Sequence, residues 1–191
     1  MTGYFSGSVT LTINGVPTTY TASSSNDTFV AKMDGNGNIL WFTQPTQSTG
    51  SDFGSCLAIT KGTTDLYLAG SFANTITLGG GTPLVSAGGF DVFITLLDTN
   101  TGAYKAYGSN YQNIRGGGTG NDTPTNLTSL VSLTSGGSAP WADLICTGTY
   151  TNLITFGTTT ASSPINDINT FIARFGQSSL IAPIFRSEKK L

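Results

Sequence analysis

The chain has 191 residues, of which eight are basic, ten are acidic and none is histidine. Charged residues make up 9% of the sequence and hydrophobic residues 38%, which excludes a disordered chain, while the scattered basic residues exclude a nucleic-acid-binding face. No apolar run reaches the roughly 18 residues of a membrane span, so no membrane insertion is expected.

The first repeat, residues 1–50, is predicted to contain short strands, with the first of a set of four missing. The segments that correspond to the remaining three strands are residues 2–5, 27–34 and 39–42, and residues 8–11 match residues 75–78. The turn after the third segment, Asp34-Gly-Asn-Gly-Asn38, has the glycine and asparagine that tight hairpins need, so its composition requires no ligand. Asp34, Asn36 and Asn38 also alternate as in a calcium loop, but the glycine at place six and the acid at place twelve are missing.

The second repeat, residues 51–112, is predicted to form four strands. They cover residues 55–60, 65–72, 91–97 and 102–107. The third of these strands carries two alternating sets of side chains, one on each face: Phe93, Thr95 and Leu97, and Val92, Ile94 and Leu96. Both faces are largely apolar, which is typical of a strand covered on both sides. We therefore expect it to lie in the middle of stacked sheets.

The third repeat, residues 113–187, is followed by a short tail, residues 188–191. Its predicted strands cover residues 126–134, 143–150, 169–175 and 180–185. Residues 66–72 recur as residues 144–150 at an offset of 78, and residues 2–5 match residues 69–72 at an offset of 67. Self-similarity of this kind predicts stacked copies of one supersecondary unit.

The repeated segments carry a distinctive motif. It runs Asp-Val-Phe-Ile-x-x-Leu-Asp at 91–98, a Gly/Asn turn, Gly-Ser-Asp-Phe-Gly at 50–54, and Asp-Leu-Tyr-Leu-Ala-Gly-Ser-Phe at 65–72. Over nearly its whole length the chain resembles the bacterial-type β-propeller repeat often called SBBP. The resemblance implies an all-β fold of about three four-stranded antiparallel blades, the first incomplete, in a secreted, cell-surface or virion-associated non-enzymatic protein. In the third repeat, Gly176 and Pro183 depart from the motif.

The number of blades bears on how the fold is completed. A propeller closes into a ring with about four to eight blades, whereas at most three are present. An open arc would leave the apolar faces of its terminal blades in water. We therefore expect a larger ring or assembly, completed by other protein chains or by copies of this chain.

No catalytic constellation is found, so the chain is not predicted to be an enzyme. The absence of histidine excludes Ser-His-Asp and Cys-His catalysis. Eight of the nine aspartates recur with the repeat, whereas a catalytic pair would be confined to one place. The aspartates are therefore expected to cap turns. No cofactor and no metal site is expected, and because the acids are spread one per turn, metals and chelators should leave thermal stability unchanged.

The candidate ligand-binding residues are aromatic: Tyr104, Tyr107, Tyr111 and Trp141. An exposed Tyr or Trp ring with a polar rim stacks on sugar faces at low entropic cost. Packing in the core or between blades is the alternative role. Cys56 and Cys146 fall on predicted strands at non-equivalent positions, so we expect two unpaired thiols.

The sequence favours a non-enzymatic β-propeller module that serves as a structural or adhesive component of an extracellular surface, a cell surface or a virus particle. Low charge and abundant Thr, Ser, Gly and Asn suit a stable exposed scaffold. Two alternatives stay open: a carbohydrate-binding propeller lectin with glycans as ligands, and a non-catalytic segment of a larger propeller protein.

Overall fold

The computed structural model describes residues 1–107, 110–111, 113–130, 143–164, 167–175 and 184–185. Within these ranges the chain forms twenty β-strands and no helix, so the prediction of an all-β fold is confirmed. Accordingly, the described part of the chain offers no helix that could cross a membrane.

The first sheet is built from the first five strands. They are β1 (Thr2–Phe5), β2 (Ser8–Ile13), β3 (Val16–Thr21), β4 (Asp27–Met33) and β5 (Ile39–Thr43), in the spatial order β1-β4-β5-β2-β3. All neighbours are antiparallel except β2 and β5, which are joined by one parallel bridge between Ile13 and Ile39. The turn between β2 and β3 uses Asn14 and Gly15 at φ of 49° and 81°, which is the backbone that a two-residue hairpin loop requires.

The second sheet has an antiparallel centre of four strands in the order β7-β8-β11-β14. The strands of this region are β6 (Gln47–Ser48), β7 (Asp52–Ile59), β8 (Asp65–Phe72), β9 (Thr75–Thr77), β10 (Leu84–Val85), β11 (Asp91–Asp98), β12 (Ala106–Tyr107), β13 (Asn110–Tyr111) and β14 (Asn113–Gly117). β7, β8 and β11 match the first three predicted strands of the repeat to within three residues.

The predicted fourth strand, residues 102–107, forms only in part: residues 103–105 pair with the end of β11, with Asp98 N donating to Ala103 O at 2.8 Å and Lys105 N to Leu96 O at 2.9 Å. Tyr104 makes only an isolated bridge to Leu97, and β12 then leaves the sheet to pair with β13. Residues 92–95 of β11 pair with β14, and the Asn113 side-chain oxygen of β14 accepts a hydrogen bond from the hydroxyl of Thr95 at 2.6 Å. β14 thus lies beyond residue 112, where the sequence placed the end of the second repeat.

The third sheet has the order β15-β16-β19-β20, all antiparallel. The strands of this region are β15 (Thr123–Leu130), β16 (Asp143–Thr151), β17 (Leu153–Phe156), β18 (Thr159–Ser162), β19 (Ile168–Phe175) and β20 (Ile184–Phe185). β16 and β19 agree with prediction to within one residue, and β15 begins three residues earlier than predicted. Residues 131–134 and 180–183 of the predicted strands lie outside the described residues.

The second and third repeats each contain a β-hairpin that pairs with a strand at the end of the preceding repeat. The β9–β10 hairpin pairs with β6 through Thr77 and Gln47, and the β17–β18 hairpin pairs with β14 through Thr155 and Gly117. The two pairings match, because Thr155 is the counterpart of Thr77, and Gln47 and Gly117 lie five residues before Asp52 and Asp122; the first repeat has one residue more between Gln44 and Asp52 than the second has between Arg115 and Asp122.

Two apolar cores lie between the sheets. The first contains Val30 and Trp41 of the first sheet with Phe93 of the second. The second core contains Ile94 of the second sheet with Phe171 of the third. β11 contributes to both, and every residue from 91 to 97 is buried, which confirms that this strand is covered on both faces.

A glycine faces the phenylalanine of the third strand in every repeat. The cross-strand pairs are Gly3 with Phe29, Gly70 with Phe93, and Gly148 with Phe171. The missing side chain leaves room for the ring: a Cβ atom on Gly70 would lie 2.5 Å from the Phe93 ring, and one on Gly148 would lie 2.6 Å from the Phe171 ring. The repeat therefore conserves a steric pair as well as a strand order.

Candidate functional site

Tyr104 is the one predicted ligand-binding residue whose side chain the structure describes. Its ring packs against the core between the first and second sheets, and its hydroxyl donates a hydrogen bond to the Gln44 carbonyl at 3.2 Å. Burial raises the pKa of this phenol, and the nearby charges of Asp52 and Asp27 raise it further. Tyr104 therefore occupies a packing position rather than an open stacking platform.

The other three candidates are Tyr107, Tyr111 and Trp141. Tyr107 lies in β12 and Tyr111 in β13, and these two strands pair with each other. Their side chains, and Trp141 as a whole, lie outside the described residues. The structure thus places Tyr107 and Tyr111 together on the β12–β13 pair, apart from Tyr104.

An open groove of about 590 Å³ lies between the first and second sheets. Met33 and Ile59 line it and are 44% and 62% exposed. Two polar groups in its wall are already paired, since Lys32 Nζ and Trp41 Nε1 both donate to the Thr99 carbonyl, at 3.0 and 3.2 Å. The groove therefore offers mainly apolar surface, as an interaction site would.

The first sheet also carries an outer aromatic face, which consists of Phe5, Tyr20, Phe29 and Phe42. Phe29 stacks on Phe42 with ring centroids 5.1 Å apart, and Tyr20 packs on Phe42 at 4.4 Å. Phe29 is only half-buried, whereas its counterparts Phe93 and Phe171 are fully buried against the preceding sheet. The outer aromatic face therefore corresponds to a surface that the second and third repeats bury against the preceding sheet.

Two strand edges of the first sheet are also open. In the described part of the chain β1 pairs only with β4, whereas its counterparts β8 and β16 have neighbours on both sides. The edge of β2 near Thr10 likewise has no counterpart of the pairing that β9 makes with β6. Unpaired edges present backbone donors and acceptors that can accept another strand.

The turn aspartates are occupied by local hydrogen bonds. Asp34 Oδ1 accepts from the amides of Asn36 and Asn38, both at 2.9 Å, and Oδ2 accepts from the Asn38 side chain at 2.8 Å. These bonds, with the Asn38 side chain first, lower the pKa of Asp34. Asp98 accepts in the same way from the amide of Asn100 at 2.8 Å. The turn is explained without calcium.

Two pairs of fully buried aspartates lie where consecutive repeats meet. We call Asp27 with Asp52 the first junction, and Asp91 with Asp122 the second junction. In each junction the backbone amide of the second aspartate donates to the carbonyl of the residue preceding the first, at 2.9 and 2.6 Å. All four side chains are 0% exposed. The acids that are spread along the sequence are therefore brought together in pairs.

Three of these four carboxylates accept a hydrogen bond from the backbone amide of the residue four positions earlier and so close a loop. Asp27 accepts from Ser23 at 2.8 Å, Asp91 from Ala87 at 3.0 Å, and Asp122 from Gly118 at 3.2 Å. This is the turn-capping geometry that recurrence in the sequence favoured.

Burial dominates the electrostatics of the junctions. It raises the pKa of Asp52 to about 8, with the charge of Asp27 adding to the rise and the Ser48 hydroxyl opposing it. Burial and the charge of Asp91 raise the pKa of Asp122 to about 7. Both carboxyls thus have too few hydrogen-bond donors for a buried anion.

The two cysteines are unpaired thiols in the same core. Cys56 packs against the core between the second and third sheets, in which Cys146 is buried. The expectation of free thiols agrees with the structure, but the argument that nothing brings the two cysteines near one another is wrong. Burial raises both pKa values, that of Cys56 to about 11, and the nearby Cys56 raises that of Cys146 further.

In the described residues no group of three or more His, Cys, Asp or Glu side chains could hold a metal ion. A scan against models of protein families found no match, and a search of curated proteins found no relative. The two junctions were missed by sequence reasoning, which compared each aspartate with its repeat counterpart and not with its partner across the fold. The recurrence of Asp27 as Asp91 and of Asp52 as Asp122 was the available signal.

Proposed function

We propose that this chain is a non-enzymatic β-propeller module that acts as a structural or adhesive component of an extracellular surface, a cell surface or a virus particle. The observation that carries the proposal is the repeated strand order: β7-β8-β11-β14 and β15-β16-β19-β20 run antiparallel in chain order, and β1-β4-β5 matches the last three positions. Propeller blades are four-stranded sheets arranged by radial repetition.

The stacking of the sheets supports the same proposal. β7 packs against β1 and β4 of the first sheet, and β15 packs against β7 and β8 of the second. The first strand of each unit therefore contacts the preceding unit. A hairpin from each later unit adds to the strand leaving the unit before it. Each unit is thus tied to its predecessor by a core and by backbone hydrogen bonds.

A structural role, not a catalytic one, is supported by what the polar residues do. The turn aspartates Asp34 and Asp98 accept backbone amides, and three of the four junction aspartates close loops. The side chain of Tyr104 is used for packing. These groups therefore hold the fold, and none of them presents a reactive atom in a cleft.

Assembly with further copies or other chains is part of the proposal. The outer aromatic face and the open edges of β1 and β2 support it, because the second and third repeats bury the same features against a preceding unit. A partner that offers a sheet face and a strand would complete the first repeat in the way that the second completes the third. A second copy of this chain meets that description.

Light scattering of the purified chain over a range of concentrations tests the proposal. We expect a mass above the 19.8 kDa of one chain, reduced to one chain by Phe29→Asp, which puts a charge on the outer aromatic face. Val85→Asp is the matched control, since Val85 is 56% exposed on β10, away from that face. A monodisperse monomer with a cooperative melt would contradict the proposal. Glycan-array binding that Trp141→Ala abolishes would favour the lectin alternative instead.

A further inference from the structure

The second junction contains its own positive charge. Arg115 on β14 places Nε 2.7 Å from Asp91 Oδ2. The guanidinium acts on both carboxyls, since it opposes the rise in the pKa of Asp91 and of Asp122. A buried carboxylate pair is expensive unless it is neutralised by an opposite charge or a proton. Arg115 provides this neutralisation for one of the two anions.

At the first junction the corresponding position holds an amide. Arg115 lies opposite Phe93 in the register of β14 with β11. In the first sheet Val30 lies opposite Thr43, so the next pair along the antiparallel register is Phe29 with Gln44. Because Phe29 is the counterpart of Phe93, Gln44 stands where the second junction has its arginine.

Buried oxygens without a hydrogen-bond donor occur at both junctions: at the second they are Oδ1 of Asp91 and Oδ1 of Asp122, whereas at the first a whole carboxyl lacks donors. Both carboxylate oxygens of Asp52 and Oε1 of Gln44 are buried without a hydrogen-bond partner. Ser48 lies beside Asp52, but its hydroxyl donates to the Gly50 carbonyl at 2.9 Å. Asp52 is thus a fully buried carboxyl with two free acceptors, next to a second buried carboxyl, Asp27.

Other contacts connect Gln44 to the segment that carries Asp27. Its Nε2 donates to the Thr21 carbonyl at 3.1 Å, two residues before Ser23, which binds Asp27 through its amide and its hydroxyl at 2.8 and 3.0 Å. The hydroxyl of Tyr104 donates a hydrogen bond to the Gln44 carbonyl, and the charges of both aspartates add to the rise that burial causes in its pKa. Gln44 is therefore hydrogen-bonded to the segment that leads to Asp27, and Tyr104 connects its backbone to the charges of both aspartates.

We propose that Asp27, Asp52 and Gln44 form a site for one calcium ion, which does at the first junction what Arg115 does at the second. Carboxylate and amide oxygens are the ligands that hard cations take, and Ca²⁺ accepts irregular sets completed by water. With two carboxylates, the site belongs to the weak class, with a Kd of about 10⁻⁴–10⁻³ M. This replaces the expectation that metals leave stability unchanged, which assumed that the acids stay apart.

The test is thermal unfolding of the full chain, freed of metal by chelation, during titration with CaCl₂ against NaCl of equal ionic strength. A ligand that binds only the folded state raises the melting temperature in a saturable way. We expect a rise of several degrees in the wild-type chain and, by calorimetry, one ion per chain. MgCl₂ should give a smaller rise, because Mg²⁺ demands a near-octahedral set.

Three variants decide whether the ion binds at the first junction. Asp52→Asn should lose the calcium response. Gln44→Arg, which copies the second junction, should also lose it while gaining stability in the absence of calcium, and it keeps the test informative where Asp52→Asn fails to fold. Asp122→Asn, at the second junction, should respond like the wild type.

Two results would overturn the proposal. One is a wild-type chain that ignores calcium yet loses stability as the pH rises through neutrality, which would mean that a proton neutralises the pair. The other is a full calcium response in both Asp52→Asn and Gln44→Arg, which would place the ion elsewhere.

Discussion

Alanine at Gly70 should destabilise the fold far more than alanine at Gly3, although the two glycines occupy the same place in the repeat. A Cβ atom on Gly70 would lie 2.2 Å from the Phe53 carbonyl oxygen and 2.5 Å from the fully buried ring of Phe93. On Gly3 the nearest atom would be 3.1 Å away, on the half-buried ring of Phe29. Of these two repeats, the second is therefore the one that has no room for the new methyl group.

The magnitude follows from these contacts. Overpacking a core costs typically about 1–3 kcal/mol, and the Gly70 methyl would meet both backbone and a trapped ring, so we expect about 3 kcal/mol. Gly→Ala at a compatible backbone otherwise stabilises by about 0.4–1 kcal/mol, and neither glycine has a positive φ. Gly3→Ala should therefore stay within about 0.5 kcal/mol of the wild type. At about 2–4 °C per kcal/mol, Gly70→Ala should melt about 6–12 °C lower.

Urea and thermal unfolding followed by circular dichroism measure both variants. Coincident transitions in the two experiments would justify the two-state treatment on which the free energies depend. If Gly70→Ala melted at the same temperature as Gly3→Ala, the steric account of the glycine–phenylalanine pair would be refuted.

Two further predictions concern buried titratable groups. Because the pKa of Asp122 is raised from 3.8 to about 7, the folded state holds this proton more tightly than the unfolded state, so the contribution of Asp122 to stability should fall as the pH rises from about 4 to about 7 and then level off. Asp122→Asn should remove up to about 4 kcal/mol of this fall, measured by urea unfolding at a series of pH values, and an unchanged slope would contradict the assignment. Alkylation of the unfolded, unreduced chain should label both Cys56 and Cys146, as detected by mass spectrometry. In the folded chain both should react slowly because burial raises their pKa values. A chain that takes up no label would contain a disulfide.

Strands with a strong local signal could be predicted from the sequence. β8 and β11 were placed to within a residue because their apolar residues recur with the repeat and, in β11, fill both faces. The fourth strand of the second repeat was only partly predicted, because residues 102–107 have strand-like composition, whereas the pairing of residues 92–95 with β14 depends on contacts across the sheet. Composition does not record such non-local competition.

The first junction shows a second limit of sequence reasoning. Asp27 and Asp52 belong to different strands and different repeats, and they meet only because the loop before β4 lies against the start of β7. Gln44 is unremarkable in sequence and becomes informative once the register places it opposite Phe29, in the position of Arg115. Repeat alignment identifies which residues are equivalent, but only the fold identifies which residues are neighbours.

The hairpins differ in length from repeat to repeat, whereas the two central strands of the second and third sheets, β8, β11, β16 and β19, have eight or nine residues each. β2 and β3 have six residues each, β9 and β10 have three and two, and β17 and β18 have four each. The tip of the longest, Asn14 and Gly15, is exposed and remote from both cores. Descendants of such a chain can therefore diverge in what they display at these tips without altering the scaffold, and a foreign peptide inserted between Asn14 and Gly15 would be presented to solvent in the same way.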